Sequence, residues 1–120
     1  MTSIKADLHM HTNYSDGSLS PKQLLTLSKK SGIPIISITD HDNVNGISEA
    51  IEYGNKLGIQ VIPGVEISAD LDDQEVHILG YFMDHKNKKF LDFLTSSRKL
   101  RIQRNEKIVE KLNMMGSNIT

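Results

Sequence analysis

The 120-residue chain carries 14 basic and 15 acidic residues, a net charge of −1, and 38% hydrophobic residues. That gives room for one domain with a real core and excludes wholesale disorder. The balanced charge argues against long nucleic acid or an anionic membrane as a partner. The absence of cysteine removes disulfides, thiolate nucleophiles and Cys-based zinc sites. No apolar run approaches the roughly 20 residues of a membrane span, and Lys5 and Asp7 interrupt any signal-peptide core. These features fit a soluble, cytoplasmic protein.

Residues 4–9 alternate apolar and polar, as a half-buried strand does. A loop rich in Asn, Ser, Asp and Gly follows, and Ser20-Pro21 predicts a helix start, with Ser as N-cap and Pro in the first turn. Leu24, Leu25 and Leu27 give that helix an apolar face, and Gly32 stops it. Residues 33–39 are short, β-branched and mostly apolar, which predicts a strand buried on both faces. A second helix is expected from about Asn45 to Leu57, closed by Gly58, and a third strand over 59–63, running on past Gly64 to Ile67. The order β-α-β-α-β with buried-type strands is the mark of a parallel α/β architecture. A fourth strand spans Glu75 to Phe82, and the short link at Asp72-Asp73 predicts a hairpin with the third.

From about Asn87 to Met115 the pattern is helical. At roughly 100° per residue, Phe90, Leu91, Leu94, Ile108, Val109 and Leu112 share one face, with Arg98, Arg101 and Asn105 in its middle. Either the helix breaks near residue 97 and turns the arginines to solvent, or it aims cations inward at something anionic. The chain thus divides into β/α strands to about residue 86 and a helical segment over about 87–116. A βαβαβ unit with an open edge and a trailing helix reads as the first part of a larger barrel.

The chemistry is concentrated at strand ends. His9 and His11 lie two apart on a strand and so face the same way, toward one cation. Asp16 adds a hard carboxylate from the following loop, His41 lies just past the second strand, Glu66 ends the third and His77 stands early in the fourth. The C-terminal ends of parallel strands converge on the functional face of such folds. A His and carboxylate set without Cys suits zinc, manganese or iron. Six candidates exceed the ligands of one ion, so two or more ions sharing ligands are expected, with Glu66 able to bridge a pair about 4 Å apart. Asp40 is expected to hydrogen-bond and orient a ligand, Asp42 to be structural and His85 to lie at the surface.

These residues resemble the polymerase and histidinol phosphatase family, the PHP domains. Asp7-Leu8-His9-Met10-His11-Thr12 with Ser15-Asp16-Gly17 is similar to its first motif, Thr39-Asp40-His41-Asp42 to its second, and Gly64-Val65-Glu66 with His77 to its third. The resemblance implies the N-terminal half of a distorted, seven-stranded TIM-like β/α barrel, with residues 1–120 forming the first part of a single PHP domain. It implies two or three divalent ions. His9, His11 and Glu66 would hold the first, Asp16 and His41 the second, and Glu66 and His77 a third. It further implies that Arg101 and Arg104 face a substrate phosphate, as basic residues do in the small stand-alone PHP phosphoesterases. The family's later motifs, another His and a closing Asp-x-His, have no counterpart in these residues. The expected activity is hydrolysis of a small phosphorylated substrate, of nucleotide or short-oligonucleotide type, by a water that the ions acidify to near neutral pH. Two rivals stand beside it: an amidohydrolase-like metal hydrolase, and a non-catalytic metal-binding module. A carboxylated Lys at a strand end would favour the first, and no Lys here is so placed.

Overall fold

The structure, a computed structural model, describes residues 5–120. Ile4, at the start of the first expected strand, lies outside the described residues. The element order is β1 (Ala6–Met10), α1 (Pro21–Lys30), β2 (Ile35–Ile38), α2 (Ile47–Leu57), β3 (Gln60–Leu71), β4 (Gln74–Tyr81) and α3 (Lys88–Met114). The four strands form one sheet in the order β1-β2-β3-β4. The first three are parallel and β4 is antiparallel to β3, as the crossover helices and the short hairpin link require.

Local chemistry explains the boundaries. Ser20 forms a reciprocal capping box with Gln23: the Gln23 amide donates to Ser20 Oγ at 3.2 Å and the Ser20 amide to Gln23 Oε1 at 2.9 Å. Gly58 ends α2 with φ 72°, the left-handed conformation that a helix C-terminus favours and glycine adopts without penalty. The β3–β4 hairpin turns through Asp72 and Asp73, both with positive φ, between the facing residues Leu71 and Gln74. Two left-handed central residues match the twist of the flanking strands.

β3 is the spine of the fold. Its first part, Gln60 to Pro63, pairs with β2, and its second, Gly64 to Leu71, pairs with β4. Tyr81, at the end of β4, donates its hydroxyl to the carbonyl of Leu8 in β1 at 2.6 Å. The last strand therefore reaches back to the first, and the sheet curls.

One core, of Leu24, Leu25, Ile36, Ile38, Ala50 and Ile59, seals α1 and α2 against the parallel strands. A second, of Val44, Ile47, Val65 and Leu94, brings in α3. α3 is continuous over 27 residues, and no break occurs near residue 97. Asn87 starts it, accepting from the Phe90 amide at 3.0 Å. Among its residues only Leu94 is buried, and the later apolar positions Ile108 and Leu112 are exposed. At about 1.5 Å per residue the helix is roughly 40 Å long, and its second half buries no residue.

β2 and β3 approach closely at Gly64. A Cβ there would fall 2.2 Å from Ser37 Oγ and 2.9 Å from Thr39 Cγ2, so glycine is required by space. Gly64→Ala is expected to destabilise the fold by about 1–3 kcal/mol through overpacking. A thermal melt checks this, and an unchanged Tm would show that the strands can part at no cost.

Candidate metal centre

The six sequence-predicted ligands come together at the C-terminal end of the parallel sheet. β1 delivers His9, and His11 follows it. His41 stands just past β2 and forms a parallel bridge with Glu66 of β3. His77 comes from β4, opposite Ser68. Main-chain bonds hold these strand ends in register. Thr39 N–H donates to Met10 O at 2.7 Å, Glu66 N–H to Asp40 O at 3.1 Å and Asp42 N–H to Glu66 O at 2.9 Å.

Glu66 lies at the centre and is 6% exposed. Its Oε2 is 2.9 Å from His11 Nε2, 3.3 Å from His9 Nε2 and 3.6 Å from His41 Nδ1, while Oε1 is 3.3 Å from His77 Nδ1. Asp16 closes the other side, with Oδ1 2.6 Å from His11 Nδ1 and Oδ2 3.3 Å from His41 Nε2. The donors fall into three triads: His9, His11 and Glu66; His11, Asp16 and His41; His41, Glu66 and His77. In each, the ligand atoms lie within 4.8 Å of one another.

The donor set fits divalent metal. His11 Nε2 and His41 Nδ1 are buried and make no hydrogen bond, although His11 Nε2 is close to Glu66. Buried polar atoms are rarely left unpaired, and these two point into a cluster of lone pairs that converge on shared points. A cation satisfies that geometry better than any rearrangement of protons.

The carboxylates are tuned for ionisation. Asp16 is held below its ordinary pKa first by its hydrogen bond with His11, then by the charges of His11 and His41, against a desolvation cost. For Glu66 burial is the largest influence and pushes upward. The hydrogen bonds with His9 and His77 and the charges of His41 and His11 together outweigh it, so the net displacement is downward.

Asp40 and the loop after β1 support the cluster from behind. Asp40 accepts from Thr12 N–H at 2.7 Å, Thr12 Oγ1 at 2.6 Å and Ser15 Oγ at 2.6 Å. Its side-chain partners are thus in the loop that carries Asp16, where the sequence led us to expect a hydrogen bond to one of the metal-binding side chains themselves. Gly17 lets that loop fold tightly, since a Cβ there would meet His11 O at 2.5 Å. The arginines divide. Arg98 and Arg101 line a cleft of about 420 Å³ with Tyr14, Asp16 and His41. Arg101 also borders a second cleft, with Arg104, Asp70 and Glu75; Arg104 is exposed and lines only that one of the two. Arg98 donates to the Asp42 carbonyl at 2.7 Å. The helical pattern had grouped Arg98 and Arg101 with the inward face, whereas Arg104 was expected from the family resemblance. His85 is partly exposed, 3.3 Å from Ser48 Oγ, and belongs to none of the three triads.

The PHP domain family matches residues 7–115. A 5'-3' exoribonuclease of Haemophilus influenzae is 38% identical over 112 residues, which are 93% of this chain and 41% of that protein. An amidohydrolase from Chromobacterium violaceum, solved with bound sulfate and no metal, superposes with a TM-score of 0.88 at 30% identity, covering 96% of this chain and 40% of the other. A protein of Bifidobacterium adolescentis, described as a candidate metal-dependent phosphoesterase, gives 0.87 at 32% identity over 99% of this chain and 41% of its own. The fold and the convergent donor set define an α/β protein with a metal-binding strand-end site. The chain belongs to the PHP domain family. It spans about two fifths of the length of the curated relatives it matches. Among the described residues no helix is long and apolar enough to cross a membrane.

Two measurements test the site. Plasma mass spectrometry on purified protein is expected to find bound divalent metal that a His9→Ala/His11→Ala variant loses; equal metal in both would remove these residues from the site. In the metal-free protein the lowered carboxylates add stability at pH above their ordinary values, and it is lost as pH falls through the lower folded values. Thermal melts across the acid range should therefore show Tm dropping below the ordinary Glu value of 4.5, with a shallower drop for Glu66→Gln. Equal slopes would mean that Glu66 is not held ionised by its histidines.

Proposed function

We propose that this chain is the N-terminal part of a PHP domain and carries most of the metal-binding side of a phosphoesterase active site. The observation that supports this most is the juxtaposition of the His and carboxylate cluster with Arg98 and Arg101 across one cleft. In this reading His9, His11 and Glu66 hold one ion; Asp16, His11 and His41 a second; Glu66, His41 and His77 a third. Manganese, zinc or iron suits such donors. When bound, the ions supply an acidified water and positive charge for phosphoryl oxygens. The protein's own groups do the remainder. Glu66 and Asp16 stay ionised and fix the imidazoles. Arg98 and Arg101 offer planar guanidiniums matched to phosphate oxygens, and they stabilise charge that grows on those oxygens as the ester bond breaks.

A nucleotide or short oligonucleotide is the favoured substrate. The Haemophilus influenzae relative is named for RNA cleavage, and the Chromobacterium violaceum structure holds sulfate, a tetrahedral anion of phosphate shape. The cations are a local pair on a chain of net charge −1, which fits a small anion or a strand end better than a long duplex. A cytoplasmic enzyme is the natural setting for such substrates. Two arginines beside the ions favour an anionic ester over the neutral amide that an amidohydrolase cleaves.

The test is hydrolysis by the full-length, manganese-loaded protein. It is expected to cleave 5'-nucleotides or short oligoribonucleotides, and Arg98→Ala or Arg101→Ala should each lower kcat/KM by about a hundredfold, the usual scale for losing one preorganised donor. Failure to hydrolyse any phosphomonoester or phosphodiester by a protein shown to hold its metal would overturn the proposal.

A further inference from the structure

Asp42 follows His41 directly and takes no part in the metal triads. It is nonetheless 1% exposed, and its backbone is left-handed, with φ 49°. Asp and Asn tolerate that conformation best among residues other than glycine. Four contacts surround it. Its N–H donates to Glu66 O at 2.9 Å. Its Oδ1 accepts from Ser68 N–H at 3.0 Å. Its carbonyl accepts from Arg98 Nη1 at 2.7 Å. Its Oδ2 has no hydrogen-bond partner and lies 3.7 Å from Arg101 Nη1.

This pattern ties three things together: the chain just behind the Glu66 carboxylate, the continuation of β3, and two arginines of α3. A buried carboxylate without a cation is costly, and among the described residues Arg101 is the salt-bridge partner of Asp42. The dependence runs the other way too. Arg98 and Arg101 are three residues apart on one helix face, a spacing at which like charges repel. A buried anion on the sheet side offsets that repulsion and keeps both guanidiniums over the cleft that they share with Asp16 and His41.

We propose that Asp42 is a positioning residue whose carboxylate and carbonyl dock α3 onto β3, so that Arg98 and Arg101 present their guanidiniums to a phosphate at the metal cluster. The inference rests on the phosphate-site reading above and adds the residue that aims its cations. It also accounts for the strained backbone at Asp42, which lets one residue point its amide at Glu66 and its side chain at α3.

Asp42→Asn isolates the effect. Asn accepts the same backbone conformation, keeps an amide oxygen for Ser68 N–H and leaves the carbonyl for Arg98; only the charge facing Arg101 is lost. In the full-length, manganese-loaded protein, binding of inorganic phosphate is read by titration calorimetry. Asp42→Asn and Arg101→Ala are each expected to weaken it about tenfold, and the double variant to bind no more weakly than Arg101→Ala, because both changes remove one interaction. Bound metal should be unchanged in Asp42→Asn, and KM for a phosphate ester should rise more than kcat falls. Unaltered phosphate affinity, losses that add in the double variant, or loss of metal from Asp42→Asn would each overturn the proposal. Coupled phosphate binding without ester hydrolysis would leave the role of Asp42 standing and remove the phosphoesterase reading. Hydrolysis with additive losses would do the reverse.

Discussion

Everything at this site depends on one buried carboxylate, Glu66, and on the four imidazoles that reach it. Withdrawing a carboxylate from water costs several kcal/mol even after relaxation, and Glu66 recovers that cost through His9, His11, His41 and His77, all within 3.6 Å of one of its oxygens. Its net displacement toward ionisation, despite burial, shows the favourable contacts prevailing. Two of the buried imidazole nitrogens, His11 Nε2 and His41 Nδ1, lie close to Glu66 without making a hydrogen bond. A carboxylate that needs cations and histidines that need an acceptor for their lone pairs would both be satisfied by the same divalent ions. Metal binding at this cluster would therefore be coupled to local stability.

The topology makes that convergence possible. Parallel strands carry their C-terminal ends to one edge, and the main-chain bonds linking Met10, Thr39, Asp40, Asp42 and Glu66 extend the sheet just beyond the regular strands. His41 and Glu66 thus project from backbone tied to a neighbouring strand by hydrogen bonds. His77 is the exception in direction, because β4 runs antiparallel, yet β3 is long enough to place Glu66 within reach of both β2 and β4. The curl that brings Tyr81 to Leu8 gathers the outer strands around the same point.

Much of this was legible in the residues. Burial-type strands separated by amphipathic helices dictate a parallel sheet, and an H-x-H at a strand end dictates two imidazoles on one face. Those rules rest on fixed side-chain periods, which is why the element order and the cluster could both be anticipated. What the periods do not contain is the position of one element against another. The rotation of α3 was readable and put Arg98 and Arg101 on the inward face; Arg104 was expected only from the family resemblance, which does not fix where this helix crosses the sheet. Of the two alternatives the pattern left open, a break near residue 97 does not occur: the helix is continuous, and Ile108 and Leu112 lie exposed on it. Asp40 misled for a related reason. Next to a histidine in sequence, it faces Thr12 and Ser15 in space, because adjacent residues at a strand end point to opposite sides.

The division of labour between sheet and helix has a mechanical consequence. The metal-binding groups come from β1, β3, β4 and the loops that follow β1 and β2. The arginines stand on a helix anchored by Leu94 in the second core and by the contacts to Asp42. With Phe90 and Leu91 also packed against that core, the anchors all lie in the first half of α3. A phosphate held between the two parts would link them, adding ion contacts on one side and guanidinium contacts on the other. In a site so divided, affinity for an anion would depend on how firmly the helix is docked, whereas the positions of the metal-binding groups are set by the strands and the loops after them.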